Sequence, residues 1–349
     1  MTNELARLLL LLAIIPLFGS APLPAVASDG LSWPERSFLN IAHRGGRFEA
    51  PEHTLYAYRR AQDLGVDMLE VDVALTADGE VVVMHDGSVD RTTDSTGAIS
   101  ALTLAQIEAL DAAYWYSPDC PGTCTGLPVT SYPFRGVATG GASPPAGSVA
   151  EDFRVPTFEE VLQAFPDMLM TIELKGSAAT SLPLGAAAAN LLAAYGRTDD
   201  VLVASFDDAL LDEFKLNAPG VPTSPGETEL TAWILGGFQP PLATHSAIQM
   251  PRTFSSVVVA VADLMDAAHA EGLPVYVFID PSEETVPIYN ELIDAGADGI
   301  ITDTPSALEA VIQARGVSYP PALPGLGAFG AFALATIIAW SGVRRAERA

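Results

Sequence analysis

The feature that most constrains the fold is a repeated alternation of short apolar runs with stretches of helical periodicity. The helical stretches occupy residues 55–64, 157–165, 264–270 and 287–295. The strand-like runs, many of them β-branched, occupy residues 38–42, 67–74, 81–85, 169–173, 201–205, 275–279 and 299–302. Such alternation predicts a parallel sheet covered by helices. With one more strand expected between 218 and 249, it predicts an α/β fold, a TIM (β/α)8 barrel. A doubly wound open sheet is the alternative.

An apolar segment begins the chain. Residues 8–18 are apolar and follow Arg7, and a small-residue cleavage pattern lies at 25–27. This arrangement predicts a secretory signal peptide over residues 1–27, because the run is short for a membrane span. Glu4 offsets Arg7, so an uncleaved anchor is the alternative.

A second apolar segment ends the chain. Residues 323–340 are mostly apolar or small, and Arg344, Arg345 and Arg348 follow. The positive-inside rule predicts a linker, a transmembrane helix and a basic cytoplasmic tail over 317–349. The domain at 28–316 would then be exported and anchored outside the cytoplasm. A buried helix and a processed sorting tail are the alternatives.

Charge and composition limit the classes of partner. The chain of 349 residues has 43 acidic and 17 basic side chains, which gives a net charge of −26. We expect no nucleic-acid partner, because such binding depends on Lys and Arg neutralising phosphates. Hydrophobic residues make up 49% of the chain, enough for a sizeable core. A small phosphate ester could still bind where a metal cancels the local negative charge.

One long segment breaks the strand–helix rhythm. Residues 114–154 are rich in Pro, Gly and Ser, which predicts an insertion that acts as a lid or binding loop. It contains Cys120 and Cys124, the chain's two cysteines. Their spacing suits a disulfide across a tight turn, and two cysteines are too few for a structural zinc site. Export and a disulfide in this loop are therefore consistent predictions.

Reactive side chains occur at the ends of several predicted strands. In an α/β barrel, chemistry gathers at the carboxyl ends of the strands. Glu70 and Asp72 are two residues apart on one strand, so both carboxylates point to the same side. The alternating apolar neighbours would pack outward under the helices, which leaves the carboxylates facing the barrel interior. Other strand ends carry His43, Arg44, His85, Glu173 and Lys175.

The acidic side chains predict a metal site. Two carboxylates buried side by side are costly unless a cation or a proton intervenes. The set Glu70, Asp72 and Glu173 favours a hard divalent ion, Ca²⁺ or Mg²⁺, over zinc. Two histidines, whose pKa lies near neutrality, suit proton transfer to and from a phosphodiester. A hydrogen-bonded network without a metal is the alternative.

An ordered set of motifs resembles the glycerophosphodiester phosphodiesterase family. The set begins with His43-Arg44-Gly45 and includes Leu69-Glu70-Val71-Asp72-Val73. Further matching blocks lie at 50–54, 83–86, 154–160, 172–175, 205–207, 267–273 and 297–305. The resemblance covers roughly residues 41–305. It implies a TIM barrel with a small insertion over the active site, and a requirement for Ca²⁺ or Mg²⁺.

The same resemblance implies a role for each matching residue. His43 and His85 correspond to the acid–base pair. Arg44 contacts the phosphate and Lys175 supports it. The implied metal ligands are Glu70, Asp72 and Glu173, with Glu52 beside them as a further candidate.

Two positions depart from the family pattern. His53 stands where the family has an asparagine, and Phe278 stands where it has a tryptophan. Both are predicted to line the substrate site, so they bear on specificity. His245 and His269 are predicted to be structural.

The predicted function is hydrolysis of glycerophosphodiesters to an alcohol and glycerol 3-phosphate in lipid metabolism. The expected partners are a small glycerophosphodiester or lysolipid substrate, and a membrane through the C-terminal helix. A lysophospholipase D or phosphoinositide phospholipase C type of lipid phosphodiesterase is the alternative. A non-enzymatic binding protein on a degenerate barrel is a further alternative, but it would be expected to lack some of these catalytic groups.

Overall fold

The structure is a computed structural model that describes residues 38–317. The predicted signal peptide at 1–27 lies outside the described residues, and so does the predicted membrane segment, apart from Val317. Among the described residues no helix combines the length and apolar character needed to cross a bilayer.

The strands of the described chain are short and mostly buried. They are β1 (Leu39–Ala42), β2 (Met68–Leu75), β3 (Val81–Val83), β4 (Leu169–Leu174), β5 (Val201–Ala204), β6 (Ile248–Pro251), β7 (Thr253–Phe254), β8 (Val257–Val258), β9 (Val275–Phe278) and β10 (Gly299–Thr302). Seven of them pair in parallel in the order β5-β4-β2-β1-β10-β9-β6. β7 and β8 form a separate antiparallel hairpin. The main sheet therefore has the parallel order expected of a barrel.

A short segment joins the two edge strands of the sheet. Residues 222–224 lie between β5 and β6, and Thr223 forms a parallel bridge with Val203. The amide of Ser224 donates to the carbonyl of Val203, and the amide of Ser246 donates to the carbonyl of Thr223. With this segment as an eighth position, the sheet is nearly closed. The prediction of a TIM-barrel-like α/β fold is thus confirmed in its core.

One of the seven predicted strands does not belong to the barrel, so this part of the prediction was wrong. The run at 81–85 forms β3, which pairs antiparallel with β2 and lies off the barrel path. Residues 222–224 fall within the interval 218–249 where one hidden strand was expected, and a second unpredicted barrel strand, β6, begins at the end of that interval and extends to Pro251. The segment 222–224 was hard to see because Pro222 and Pro225 have no N–H group to donate to a ladder, which limits the regular pairing of the segment.

Successive side chains of a barrel strand point alternately towards the surrounding helices and into the barrel interior. On β2, Val71 and Val73 pack outward in the cluster formed with the surrounding helices. Met68, on the opposite face, lies in the barrel interior with Ile41 and Tyr276. Because side chains alternate along a strand, the face of Met68 also carries Glu70 and Asp72. The prediction that these carboxylates face the interior is confirmed.

The helices cover the outside of the sheet. They are α1 (Leu55–Leu64), α2 (Leu104–Glu108), α3 (Phe158–Ala164), α4 (Ala178–Ser181), α5 (Pro183–Ala194), α6 (Asp208–Asn217), α7 (Glu227–Leu235), α8 (Ala262–Ala270), α9 (Val286–Asp294) and α10 (Pro305–Arg315). Single turns of 3₁₀ helix lie at His43–Gly45, Ile99–Ala101, Val129–Ser131, Ala150–Phe153 and Pro281–Glu283. The four predicted helices match α1, α3, α8 and α9 to within two residues at each end.

Caps explain where several helices begin. Thr54 precedes α1, and its hydroxyl accepts a hydrogen bond from the amide of Ala57. Thr157 and Glu160 form a reciprocal capping box at the start of α3. Such caps satisfy amides that a helix leaves without partners, and each contributes about 1 kcal/mol. They fix the loops that leave the carboxyl ends of the strands.

The segment 114–154 is irregular, as its composition predicts. Cys120 and Cys124 form the predicted disulfide. The guanidinium of Arg135 stacks on the ring of Tyr132 at 3.7 Å and also lies over Tyr114 and Trp115. Cation–π contacts of this kind, together with the disulfide, hold a loop that has little secondary structure. The segment is therefore ordered by side-chain packing.

Candidate active site

The first part of the site is a tight turn after β1. Arg44, Gly45 and Gly46 all have left-handed backbones, with φ of 54°, 82° and 84°. Gly45 is required here because a Cβ atom would lie 2.8 Å from that of Ala57. The turn directs the amide of Arg44 to Oε2 of Glu70 at 2.8 Å. A non-glycine residue in this region of backbone space costs about 1 kcal/mol or more, and such strain is common at functional sites.

Charged groups from several strands converge beside this turn. Nε of Arg44 lies 3.4 Å from Oδ2 of Asp72, and Nζ of Lys175 lies 3.4 Å from Oδ1 of the same carboxylate. Lys175 also donates to Oε1 of Glu173 at 2.7 Å. The structure therefore brings together the predicted metal ligands Glu70, Asp72 and Glu173 and the predicted phosphate-binding residues Arg44 and Lys175.

Burial controls the protonation of the three carboxyl groups. Burial and the charge of Asp72 raise the pKa of Glu70 well above its usual range. The same two effects raise the pKa of Glu173 to about 7. Burial works against ionisation of Asp72 as well, but Lys175 and His53 hold its pKa well below the usual range. The protein's own cations therefore compensate only part of the buried negative charge.

The donor set fits a divalent cation. Carboxylate oxygens of Glu70 and Asp72 lie within 4.8 Å of each other and of a ring nitrogen of His53, and all three residues are buried. Oδ1 of Asp72 is buried without a hydrogen-bond partner among the described residues. Hard divalent ions prefer carboxylate oxygens, and a cation would relieve the repulsion between Glu70 and Asp72. The residues present therefore suit Ca²⁺ or Mg²⁺, with Glu173 close by through Lys175.

Each predicted catalytic histidine is paired with an aspartate. Nδ1 of His43 lies 2.6 Å from Oδ1 of Asp303, and Nδ1 of His85 lies 2.6 Å from Oδ1 of Asp86. An ionised carboxylate can only accept, so Nδ1 carries the proton in both rings. In each neutral ring Nε2 is then the free proton acceptor. Burial lowers the pKa of His43, although Asp303 opposes that effect.

A network of arginines supports these histidines. Arg47 donates from Nε to Oδ2 of Asp303 at 2.6 Å. Arg91 donates to both carboxylate oxygens of Glu52 at 2.7 Å, and it also pairs with Asp86. Burial opposes ionisation of Glu52, yet the hydrogen bonds from Arg91 and the charge of Arg44 hold its pKa well below its usual range. Glu52 thus forms ion pairs with two arginines in this structure.

Four of these supporting residues were not predicted from the sequence: Arg47, Asp86, Arg91 and Asp303. Asp86 comes directly after the predicted catalytic residue His85, and Arg47 comes shortly after His43. This closeness along the chain could have indicated both residues. Asp303 comes directly after β10, and its position at the end of a strand could also have indicated it. Arg91 lies in a loop, and no sequence pattern linked it to Glu52.

His53 is hydrogen-bonded to one of the clustered carboxylates. Its Nε2 lies 2.8 Å from Oδ2 of Asp72, and its Nδ1 lies 2.7 Å from the hydroxyl of Tyr58. Because the carboxylate accepts, Nε2 carries the proton and Nδ1 accepts from Tyr58. Burial, as the largest effect, lowers the pKa of His53 to about 4. The residue contacts a predicted metal ligand, and its predicted contact with substrate stays a prediction.

A large cavity opens from the site. Its volume is about 1090 Å³, and it reaches His43, Arg44, Glu70, His85, Glu173 and Lys175 at one end. Most of the remaining wall comes from the loop after β5, residues 224–226, α7, β6 and the β7–β8 hairpin. Phe278 forms part of this wall, where substrate contact was predicted for it. The residues that line the cavity include none from 114–154, so the predicted role of that segment as a lid stays a prediction.

His245 and His269 lie away from both the carboxylate cluster and this cavity wall. His245 contacts Thr223 and Glu229, and His269 contacts Asp298 through Nε2 at 2.7 Å. These contacts join neighbouring elements of the barrel, which fits the structural role predicted for both.

Comparison with known proteins gives one consistent family. The model of the glycerophosphoryl diester phosphodiesterase family matches residues 43–307. A glycerophosphodiester phosphodiesterase of Caldanaerobacter subterraneus is 28% identical over 286 residues, which cover 80% of this chain and 99% of the relative. A glycerophosphodiester phosphodiesterase of Bacillus subtilis is 30% identical over 233 residues, covering 63% of this chain and 70% of the relative.

Solved structures agree on the fold. A crystal structure of a putative glycerophosphoryl diester phosphodiesterase from Silicibacter pomeroyi is 25% identical, with a TM-score of 0.61, and covers 81% of this chain and 96% of its own. An Oleispira antarctica phosphodiesterase, solved in complex with the product sn-glycerol-3-phosphate, is 23% identical with a TM-score of 0.58. It covers 78% of this chain and 96% of its own.

The TIM-barrel-like fold and these matches define the chain as a phosphoric diester hydrolase. Within that class, it belongs to the glycerophosphoryl diester phosphodiesterase family.

Proposed function

We propose that the protein hydrolyses glycerophosphodiesters to an alcohol and glycerol 3-phosphate, a reaction of lipid metabolism. The observation that carries this proposal is the pair of histidines that line one cavity, each with Nδ1 held by an aspartate. The same cavity reaches the cluster of carboxylates and cations that suits a phosphate and a metal. The product bound in the Oleispira antarctica relative is consistent with this chemistry.

The geometry supports an acid–base mechanism. A neutral histidine whose Nε2 is free can take a proton from the attacking hydroxyl, and a protonated one can give a proton to the leaving alkoxide. His43 and His85, which both line the cavity and both have Nδ1 bound to an aspartate, are the proposed pair. Arg44 and Lys175 contribute positive charge where the phosphate would bind. The attacking group is a water molecule or a hydroxyl of the substrate's own glycerol.

The metal has a supporting role in this proposal. Glu70 and Asp72 would hold Ca²⁺ or Mg²⁺, with Glu173 as a further oxygen ligand and His53 beside them. When bound, the ion polarises the phosphate oxygens and lowers the cost of the charge that develops on them. Glu52 supports the site through Arg44, with which it forms an ion pair at 3.1 Å.

Turnover of glycerophosphocholine by the purified full-length protein tests the function. Release of glycerol 3-phosphate should require a divalent ion and stop with a chelator. Substitution of either histidine by alanine (His43→Ala or His85→Ala) should lower kcat by about a hundredfold or more, because general acid–base catalysis typically contributes that much. Undiminished turnover in both variants would contradict the mechanism. Exposed Asp294→Asn is a suitable control, because its carboxylate pairs with Arg315 away from the cavity.

We also propose that the catalytic domain is exported and anchored outside the cytoplasm. The disulfide between Cys120 and Cys124 supports this, since such bonds persist mainly in oxidising compartments. Protease treatment of intact cells should cleave the domain. Protection of the domain until the cells are lysed would contradict export.

A further inference from the structure

Glu284 is a partly buried acid that has no part in the mechanism proposed above. It comes directly after the 3₁₀ turn Pro281–Glu283, in the loop that joins β9 to α9. Asp280 begins that turn, and its carboxylate accepts a hydrogen bond from the amide of Ser282. The capped turn brings the side chain of Glu284 to the residues that follow β10.

The carboxylate of Glu284 accepts hydrogen bonds from three consecutive residues at the end of β10. Oε1 accepts from the amide of Asp303 at 2.6 Å. Oε2 accepts from the hydroxyl of Thr302 at 2.6 Å and from that of Thr304 at 3.0 Å. The hydroxyl of Tyr289, on α9, also donates to Oε2. One carboxylate therefore fixes the turn that carries Asp303 and ties that turn to α9.

The turn held by Glu284 is the one that orients His43. Oδ1 of Asp303 contacts Nδ1 of His43, and Oδ2 of Asp303 accepts from Nε of Arg47, both at 2.6 Å. The carbonyl of Asp303 accepts from the amide of Phe48 at 3.2 Å. Each polar atom of Asp303 thus has a partner. Three of the four partners belong to the segment that begins at His43, and Glu284 reaches Asp303 from a separate loop.

The negative charge of Glu284 gives the turn a single arrangement. Burial and the charge of Asp303 raise the pKa of Glu284, so ionisation has a cost at this position. An ionised carboxylate only accepts, which requires all of its donors to point towards it. Its network is cooperative, because the hydroxyls of Thr302 and Tyr289 also lie 3.0 Å from each other. Glutamine would present one acceptor and one donor group to the same residues.

We propose that Glu284 is a positioning residue for catalysis, which acts through Asp303 to hold His43 in the tautomer that leaves Nε2 free to accept a proton. The inference rests on the proposed function for the role of His43, but not on which phosphodiester is the substrate. Loss of Glu284 should release the turn, so that Asp303 no longer fixes Nδ1. The neutral ring would then exchange between its two tautomers, and the one with a proton on Nε2 cannot accept there.

Nitrogen NMR of the histidine rings tests this positioning in the full-length protein without substrate. The shifts of the two ring nitrogens show which one carries the proton, and the signal lost in His43→Ala identifies His43. The neutral wild-type ring should have its proton on Nδ1. In Glu284→Ala both nitrogens should move towards averaged shifts. Glu283→Ala is the matched control, because the neighbouring carboxylate pairs with Arg252, and it should keep the wild-type shifts.

Kinetics give a second readout that general destabilisation would not imitate. Glu284→Ala should lower kcat for glycerophosphocholine by about tenfold or more, as loss of an orienting group typically does. KM should change by less than about twofold, because Glu284 is not among the described residues that line the cavity. In the Asp303→Asn background the same substitution should change kcat by less than about twofold, since residues that act as a unit are not additive.

Glu284→Gln provides a milder variant should the alanine protein fold poorly. It keeps an acceptor for the amide of Asp303, so its kcat should lie between those of the wild type and Glu284→Ala. Its ring shifts should also move in the direction of the alanine variant, by a smaller amount.

The outcomes separate this inference from the proposed function. Wild-type ring shifts of His43 in the folded Glu284→Gln protein would overturn the inference and leave the proposed function standing. An equal loss of kcat from Glu284→Ala in the wild-type and Asp303→Asn backgrounds would also overturn it. If the wild type hydrolyses no glycerophosphodiester, the proposed function fails, and the ring shifts still decide whether Glu284 positions His43.

Discussion

Nδ1 of His43 lies 2.6 Å from Oδ1 of Asp303, although the two residues are separated by 260 positions in the chain. The contact exists because β1 and β10 are parallel neighbours whose carboxyl ends meet at one edge of the barrel. Asp303 is fully buried, and Arg47 holds its other oxygen. The aspartate therefore fixes both the orientation and the tautomer of His43.

Asp303→Asn should impair catalysis without removing a group that contacts substrate. Loss of the orienting carboxylate should lower kcat by roughly a hundredfold or more, because the ring loses its fixed tautomer. Asp303 raises the pKa of His43, so its removal lowers that pKa further. The limb of the pH–rate profile that reports His43 should therefore move to lower pH. A profile that keeps its wild-type limbs would show that Asp303 does not act through His43.

Glu70→Gln should stabilise the metal-free protein while abolishing its response to metal. The pKa of Glu70 is raised in the folded state, so folding binds a proton above the unfolded pKa of about 4.3, and stability is lost as pH rises towards the folded pKa. Glutamine removes this penalty, so the variant's advantage in Tm over the wild type should grow from pH 5 to pH 8. Thermal unfolding in chelator measures it.

The same pair of proteins tests the metal site. Ca²⁺ or Mg²⁺ should raise the wild-type Tm, since ligands that bind only the folded state stabilise it. At a hundredfold excess over Kd the gain is about 2.7 kcal/mol. The Tm of Glu70→Gln should respond much less. Equal shifts in the two proteins would place the ion elsewhere.

Substitution of His53 should show whether its ring supports the metal site. The residue has a left-handed backbone with φ of 57°, which asparagine tolerates better than alanine does. The amide of His53→Asn can still donate towards Asp72, whereas His53→Ala cannot. We expect His53→Ala to weaken divalent binding by about tenfold or more, a typical effect of losing a group that orients a ligand. His53→Asn should bind more tightly than His53→Ala, and calorimetric titration gives both affinities.

His269 should give the protein a pH-dependent contribution to stability. The hydrogen bond to Asp298 raises the pKa of His269 above 6.5, so the contribution is complete below the unfolded pKa and is lost as pH rises through the folded pKa. His269→Gln should cost about 0.5–1 kcal/mol at pH 5.5 and less at pH 8.5. Denaturant unfolding at the two pH values measures the difference. A larger cost at pH 8.5 would contradict the assignment.

The interior-facing carboxylates could be predicted because the period of a strand is two. Glu70 and Asp72 alternate with Leu69, Val71 and Val73, and the structure keeps that alternation. The run that forms β3 was wrongly predicted to be a barrel strand, because three consecutive valines are equally typical of a barrel strand and of one arm of a hairpin. Its antiparallel pairing with β2 depends on the short turn after Leu75. The pattern of side chains within a strand does not indicate whether its partner runs parallel or antiparallel to it.

The remainder of the site depends on long-range contacts. Asp303 comes to His43 only when the barrel closes, and Arg91 meets Glu52 only through the fold of its loop. The apolar part of the cavity was missed for the same reason. Its wall combines α7 with the β7–β8 hairpin, and neither element carries a motif.

The segment 222–224 has a consequence for how the barrel moves. It pairs with β5 through a single bridge, between Thr223 and Val203, whereas β2 and β4 share a register of six paired residues. Amide exchange should accordingly be fastest along this seam, where the fewest hydrogen bonds must break. The seam adjoins the start of α7, whereas the strands β2 and β4, which carry Glu70, Asp72 and Glu173, are paired over six residues. Opening of the barrel should therefore begin at this seam, beside the cavity wall formed by residues 224–226, before it reaches the pairing of β2 with β4.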